Sequence, residues 1–168
     1  NTYLSERGGV IFDPFSGSGT TLLEANVNGI DAYGTEIDDI AKLIIKVKTT
    51  VLGSRQLELL EQYYLEIINI IAQDDAEVFI PTITNLEHWF SETTINQLGR
   101  MKVYIENIMD ADIRDFFKLC MVSIIKRVSN ADDTSPKPYV SNKIVKNPPT
   151  VEKEFASVFR RYKQMMKE

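Results

Sequence analysis

The 168-residue chain holds one cysteine, Cys120, one histidine, His88, and one tryptophan, Trp89. A lone cysteine excludes an internal disulfide and any Cys-rich metal site. It also makes a reducing, cytoplasmic location the default expectation. A lone histidine gives little support to a metal cluster or a Ser-His-Asp triad. No apolar run reaches the roughly 18 residues that a membrane-spanning helix needs. The opening NTYLSERGG has neither a basic n-region nor an apolar h-region, so no secretory signal is expected. It also lacks a starting Met, as a fragment would. No lysine or arginine falls between residues 10 and 41.

What is present suits one domain of ordinary size. Hydrophobic residues make up 43% of the chain, enough for a real core. The net charge of -5 is unevenly spread. From Thr134 to Glu168 there are eight Lys or Arg against three Asp or Glu, a net of +5. Residues 1–133 carry 11 against 21, a net of -10. A basic tail can meet phosphate backbones, but a solvated helix face is the preferred reading.

Along the chain, Val10-Ile11-Phe12 is a short apolar run bounded by turn signals, as in a buried parallel strand. Residues 13–19, DPFSGSG, form a glycine loop. Thr20 to Asn28 reads as a helix, with Gly29 where a C-terminal cap belongs. Ile30 to Thr35 reads as a second strand, with Glu36 at its carboxyl end. Together these make a βαβ unit with parallel strands and a right-handed crossover. Helical spacing follows over Ile40–Val51 and Arg55–Gln73, the latter on Leu57, Leu60, Tyr64, Ile67, Ile68 and Ile71. After a loop around Pro81 and the stretch Leu86–Phe90, Ser91 looks like an N-cap for a helix running through Met109. Another helix is expected from Asp112 to Val128, with Phe116, Phe117, Leu119, Cys120, Val122, Ile124 and Ile125 inside. Residues 130–150 hold four of the six prolines and read as a loop. Val151–Lys167 closes the chain as a basic amphipathic helix. The fold class is therefore α/β, with an incomplete sheet and a predominantly helical second half. The expected organisation is a cofactor-binding unit over 1–39, a helical insertion over 40–129, a Pro-rich loop over 130–149 and a basic C-terminal helix over 150–168.

Glycines at 17 and 19 let the backbone turn sharply and approach a ligand. The helix that follows turns its free N–H groups toward the same crevice, beyond the carboxyl ends of the strands. A nucleoside triphosphate would want GxxxxGK[ST], but the lysine is absent. A nicotinamide dinucleotide would want GxGxxG, but Leu22 stands at the third glycine. S-adenosylmethionine carries no phosphate and needs no lysine. Asp13 can attract its ammonium, directly or through water, and Glu36 can accept both ribose hydroxyls. Their separation of 23 residues fits one βαβ unit. A ligand-free turn, with Asp13 merely capping it and Glu36 an ordinary exposed acid, is the bland alternative.

The nine residues DPFSGSGTT resemble the cofactor motif of bacterial DNA methyltransferases that modify adenine N6 or cytosine N4. Gly29 and the stretch Gly34-Thr35-Glu36-Ile37-Asp38 continue the likeness. Lys46-Val47-Lys48-Thr49-Thr50, His88-Trp89-Phe90 and Arg127-Val128-Ser129 resemble one branch of that group, which has a helical segment after its second strand. The resemblance implies a Rossmann-like methyltransferase sheet, S-adenosylmethionine as methyl donor, and DNA as the partner of the full-length enzyme. The lone cysteine and histidine and the lack of a long apolar run make no metal and no membrane the expectation, and the resemblance leaves room for a restriction partner. It assigns cofactor binding to Asp13, Pro14, Phe15, Ser16, Gly17, Ser18, Gly19, Thr20, Thr21, Glu36 and Ile37.

The same family carries a catalytic [DNS]PP[YFW] motif. It accepts hydrogen bonds from the target amine and stacks the flipped base. Asn147-Pro148-Pro149-Thr150 imitates it, but Thr150 has no ring for stacking and reads as a helix N-cap. Ser135-Pro136-Lys137-Pro138-Tyr139 is split by Lys137. No residue here is assigned a catalytic role, and the motif is expected downstream. Core packing or a helix-entry staple is the preferred role of His88-Trp89-Phe90, ahead of base stacking. Cys120 reads as a buried small hydrophobe. Two rivals remain: an RNA guanine N2 methyltransferase, which shares DPFxGxG loops, and a non-catalytic helical interaction module.

Overall fold

A computed structural model describes residues 9–141 and 146–166. The expectations for the first eight residues, for 142–145 of the Pro-rich loop and for the last two residues of the C-terminal helix lie outside the described residues. The chain divides into two compact units, Asn1–Val51 and Leu52–Glu168.

In the first unit, β1 (Ile11–Asp13) leads through the glycine loop to α1 (Thr20–Val27), then to β2 (Ala32–Gly34) and α2 (Asp39–Thr49). The two strands are parallel, with Ile11 opposite Ala32, Phe12 opposite Tyr33 and Asp13 opposite Gly34. β2 is shorter than the expected Ile30–Thr35 because the end of α1 uses Ile30. The Ile30 N–H donates to the Ala25 carbonyl at 2.9 Å and the Gly29 N–H to that of Asn26 at 3.0 Å. Gly29 is left-handed, with φ +66°. This is the paired-bond helix ending that glycine favours. Strand alternation puts Phe12 and Tyr33 side by side on one sheet face, where they are 64% and 65% exposed.

The start of α2 is fixed by Asp38, whose side chain accepts from the Ala41 N–H at 2.7 Å. Its end comes at Thr49, two residues before the expected Val51. The Thr49 hydroxyl donates to the Ile45 carbonyl at 2.9 Å and the Thr50 hydroxyl to that of Lys46 at 2.7 Å. Those bonds satisfy carbonyls that a longer helix would have used.

The second unit is helical among its described residues: α3 (Ser54–Ile71), α4 (Leu86–Trp89), α5 (Glu92–Glu106), α6 (Ala111–Val128) and α7 (Val151–Met165). Its core joins α3, α6 and α7 through aromatic rings. Tyr64 stacks on Phe159 at 4.3 Å between centroids, and Phe116 and Phe117 pack edge-on at 5.3 Å. Leu60, Ile67, Met101, Ile105, Ile113 and Ile124 fill the remainder and are wholly buried. The helix expected through Met109 ends at Glu106. There the Asn107 side chain donates to the Val103 carbonyl at 2.8 Å, and Asp110 then caps α6 through the N–H groups of Asp112 and Ile113 at 3.0 and 3.1 Å.

One detail went unforeseen. Arg100 is buried, and its guanidinium closes the end of α3 by donating to the Ile71 carbonyl at 3.1 Å and the Asp74 carbonyl at 3.3 Å. Phe90 and Ile95, flanking the Ser91 cap, line one apolar cavity of about 150 Å3 with Phe79, Ile83 and Met121. That spacing is the helix-entry staple. His88 is exposed.

No helix among the described residues is long and apolar enough to cross a membrane. No group of three or more His, Cys, Asp or Glu side chains among them is placed to hold a metal ion.

Candidate functional site: the glycine loop and the acid after the second strand

The backbone after β1 is held by short local bonds. Asp13 Oδ1 accepts from the Phe15 N–H at 3.1 Å, and the Asp13 carbonyl accepts from the Ser16 hydroxyl at 3.1 Å. The same carbonyl takes the Thr35 N–H at 3.0 Å, and the Ser16 N–H returns to the Thr35 carbonyl at 3.1 Å. The Thr35 hydroxyl donates to the Pro14 carbonyl at 2.6 Å. Loop and second strand are thus laced together just past the ladder, which brings Asp13 and Glu36 to the same end of the sheet.

Gly17 and Gly19 are left-handed, with φ of +50° and +75°. A Cβ on Gly17 would meet nothing within 4 Å, so that backbone faces open space. A Cβ on Gly19 would stand 2.6 Å from Ile45 Cγ1 of α2, so the loop lies against that helix. Gly34 is held closer still. A Cβ there would overlap Ser16 Oγ and stand 2.9 Å from Leu22 Cδ1. Ser16 is buried between them, whereas Phe15 and Ile37 are each 90% exposed.

Helix α1 starts at Thr20, after Gly19, with no side-chain cap and no acidic residue in its first turn. Its first N–H groups therefore have no intrahelical acceptor and carry the positive end of the helix dipole. Glu36 Oε1 accepts from the N–H groups of Ile37 and Asp38 at 2.8 and 3.0 Å. Those of Asp38 and Ile37, and more weakly that of Gly17, hold its carboxyl below the usual glutamate range. A carboxylate has about four acceptor sites, so these bonds orient Glu36 without saturating it.

Asp13 ends β1, Pro14, Phe15, Ser16, Gly17, Ser18 and Gly19 form the loop, Thr20 and Thr21 open α1, and Glu36 directly follows the Thr35 that is bonded to that loop. Ile37 stands exposed beside it. The sequence reading missed the Thr35 tie to Pro14 and the bond from Lys48 Nζ to the Ser18 carbonyl at 3.0 Å. Lys48 stood only in a stretch singled out for its resemblance, with no role attached. Thr150, in the rejected Asn147–Thr150 motif, is the N-cap of α7 and accepts from the Lys153 N–H at 3.3 Å.

Comparison with known proteins bears out the resemblance. Residues 2–47 match the N6/N4 methyltransferase family model, described as DNA methylase. Over 134 residues, 77% of this chain, the sequence is 29% identical to the Type II methyltransferase M.MvaI of Kocuria varians, covering 30% of that protein. Over 124 residues, 73% of this chain, it is 32% identical to the Type II methyltransferase M.BsoBI of Geobacillus stearothermophilus, covering 24% of it. The chain thus spans less than a third of the length of these curated relatives. No solved structure matches it.

Proposed function

We propose that this chain supplies the S-adenosylmethionine-binding part of a DNA amino-methyltransferase acting on adenine N6 or cytosine N4. The single observation that carries the reading is the lacing of Thr35 to Asp13, Pro14 and Ser16, which sets Glu36 beside a lysine-free glycine loop. That arrangement suits a ligand with an ammonium, a ribose diol and no phosphate.

Within it, Glu36 accepts from the ribose hydroxyls, and its depressed pKa keeps it an acceptor throughout the neutral range. Asp13 draws the amino acid end of the ligand. Its Oδ1 orients the Phe15 N–H, so the carboxylate is already fixed in direction. Gly17, Ser18 and Gly19 present backbone at close range, and Thr20 and Thr21 offer the free N–H groups of α1 to the ligand's carboxylate. Phe15 and Ile37, both exposed, are apolar walls for the adenine. When bound, S-adenosylmethionine supplies an electrophilic methyl on its sulfonium. Holding that group in line with the target amine is much of the catalysis.

The fit extends to the sheet. A parallel pair with exposed Phe12 and Tyr33 on one face suits a place in a larger Rossmann-like sheet, whose second face is ordinarily covered. No [DNS]PP[YFW] sequence occurs in these 168 residues. In this reading another part of the enzyme supplies it, and this chain alone binds cofactor without turnover. The lone buried thiol suits a reducing, cytoplasmic setting.

Calorimetric titration with S-adenosylmethionine, ATP and NAD tests the reading. Saturable binding of the first alone is expected. Binding of none at millimolar concentration by the folded chain, or of a nucleotide instead, would overturn it.

A further inference from the structure

Ser18 lies between two left-handed glycines, the arrangement in which a peptide plane rotates most freely. Yet the Ser18–Gly19 peptide is held at both ends. Its N–H, that of Gly19, donates to the Ser16 carbonyl at 2.7 Å. Its carbonyl oxygen, that of Ser18, accepts from Lys48 Nζ at 3.0 Å, thirty residues away at the end of α2.

The usual role of a lysine in a last helical turn is to serve that helix's own carbonyls. In α2 the hydroxyls of Thr49 and Thr50 already take the Ile45 and Lys46 carbonyls. Lys48 reaches out to the loop instead. The other basic side chain near the acid end of the site, Lys42, is paired with Asp39 at 2.9 Å. Three residues before Lys48, Ile45 packs against Gly19. Consecutive turns of α2 thus touch the loop twice, once by apolar contact and once by a charge-assisted bond, which is the stronger kind.

We propose that Lys48 is a positioning residue for the glycine loop. By fixing the Ser18 carbonyl it sets the orientation of the Ser18–Gly19 peptide, and with it the direction of the N–H groups of Thr20 and Thr21 that follow. It acts through the backbone and does not touch the ligand. That distinguishes it from the phosphate-binding lysine of nucleotide loops, whose cation meets the ligand directly. The inference deepens the proposed function and rests on this loop being the S-adenosylmethionine site.

The test pairs amide hydrogen exchange at Gly19, read by NMR without ligand, with calorimetric titration of S-adenosylhomocysteine. In Lys48→Met the Gly19 amide should exchange roughly tenfold faster, and affinity should fall about five- to tenfold, the scale of one exposed hydrogen bond. Amides within α2 should stay protected. Lys48→Arg, which keeps a cationic donor, should restore most of both. Asn26→Ala removes a different tie, the bond from Asn26 Nδ2 to the Thr49 carbonyl at 3.2 Å. It should leave Gly19 exchange unchanged. If Lys48→Met unfolds the unit, Lys48→Ala, which also removes the donor, provides the same comparison.

Unchanged exchange at Gly19, or failure of Arg to restore it, overturns the positioning role. Faster exchange at Gly19 in a chain whose wild type binds no S-adenosylhomocysteine upholds the tether and overturns the cofactor reading instead.

Discussion

Gly34 on β2 and Ser16 in the glycine loop face each other so closely that a Cβ on Gly34 would overlap Ser16 Oγ. Position 34 is therefore tied to the loop by the absence of a side chain. Gly34→Ala should push Ser16 off the Asp13 carbonyl and destabilise the first unit by about 1–3 kcal/mol. The double variant Gly34→Ala, Ser16→Gly should be less damaged than the sum of the two single changes. Denaturant melts followed by amide exchange at β1 and β2 would measure this. Additive losses would mean that the two positions do not meet.

Glu36 is held in the charged form by the Asp38 and Ile37 N–H groups, with its folded pKa below the ordinary value. Its contribution to stability is fully present above the unfolded pKa and is lost as pH falls through the folded one. Affinity for S-adenosylmethionine should therefore show no step from Glu36 between about pH 5 and 8, above the ordinary glutamate range. Glu36→Ala should weaken binding about tenfold, since it removes an acceptor from hydroxyl donors. Titrations across that pH range check both statements.

Asp110 caps α6 and also accepts from Gln56 Nε2 on α3 at 3.0 and 3.2 Å. The Ile113 N–H, then Gln56 and the Asp112 N–H, lower its pKa against the raising effect of burial. Asp110→Ala should cost about 1–2 kcal/mol of helical-unit stability, the scale of a lost N-cap. The same contribution is present above the unfolded pKa near 3.9 and should fade as pH drops below it toward the folded value. Acid melts of wild type and variant should converge there.

Cys120 is fully buried in α6, and burial pushes its thiol well above the ordinary range. The thiolate is the reactive form, so the folded chain should resist iodoacetamide at pH 8 and react once the helical unit opens. Labelling followed by mass spectrometry against denaturant should track loss of helical circular dichroism.

Much of this was legible because it depends on local chemistry. The glycine loop, the Schellman ending at Gly29 and the caps at Ser91 and Thr150 each follow from a few adjacent residues. Helices α3 and α6 were plain from apolar spacing. What escaped depended on residues far apart in the chain. The bond from Lys48 to Ser18 spans thirty residues, and Arg100, an ordinary polar residue in a helical pattern, is buried only because the end of α3 leaves carbonyls for it to close. The length of β2 was overestimated because periodicity sees Ile30 as a strand residue, whereas its N–H belongs to the end of α1. The DNA methylase family model matches residues 2–47, the stretch that holds the loop and Glu36.

The central claim is that S-adenosylmethionine sits between the glycine loop and Glu36. Backbone amide NMR of the 15N-labelled chain, titrated with S-adenosylmethionine, tests it most directly. The account predicts saturable shifts confined to Gly17, Ser18, Gly19, Thr20, Thr21, Glu36 and Ile37 and their immediate neighbours, with α3 to α7 unmoved. Shifts confined to the helical unit, or no shifts in a folded chain at millimolar ligand, would contradict it.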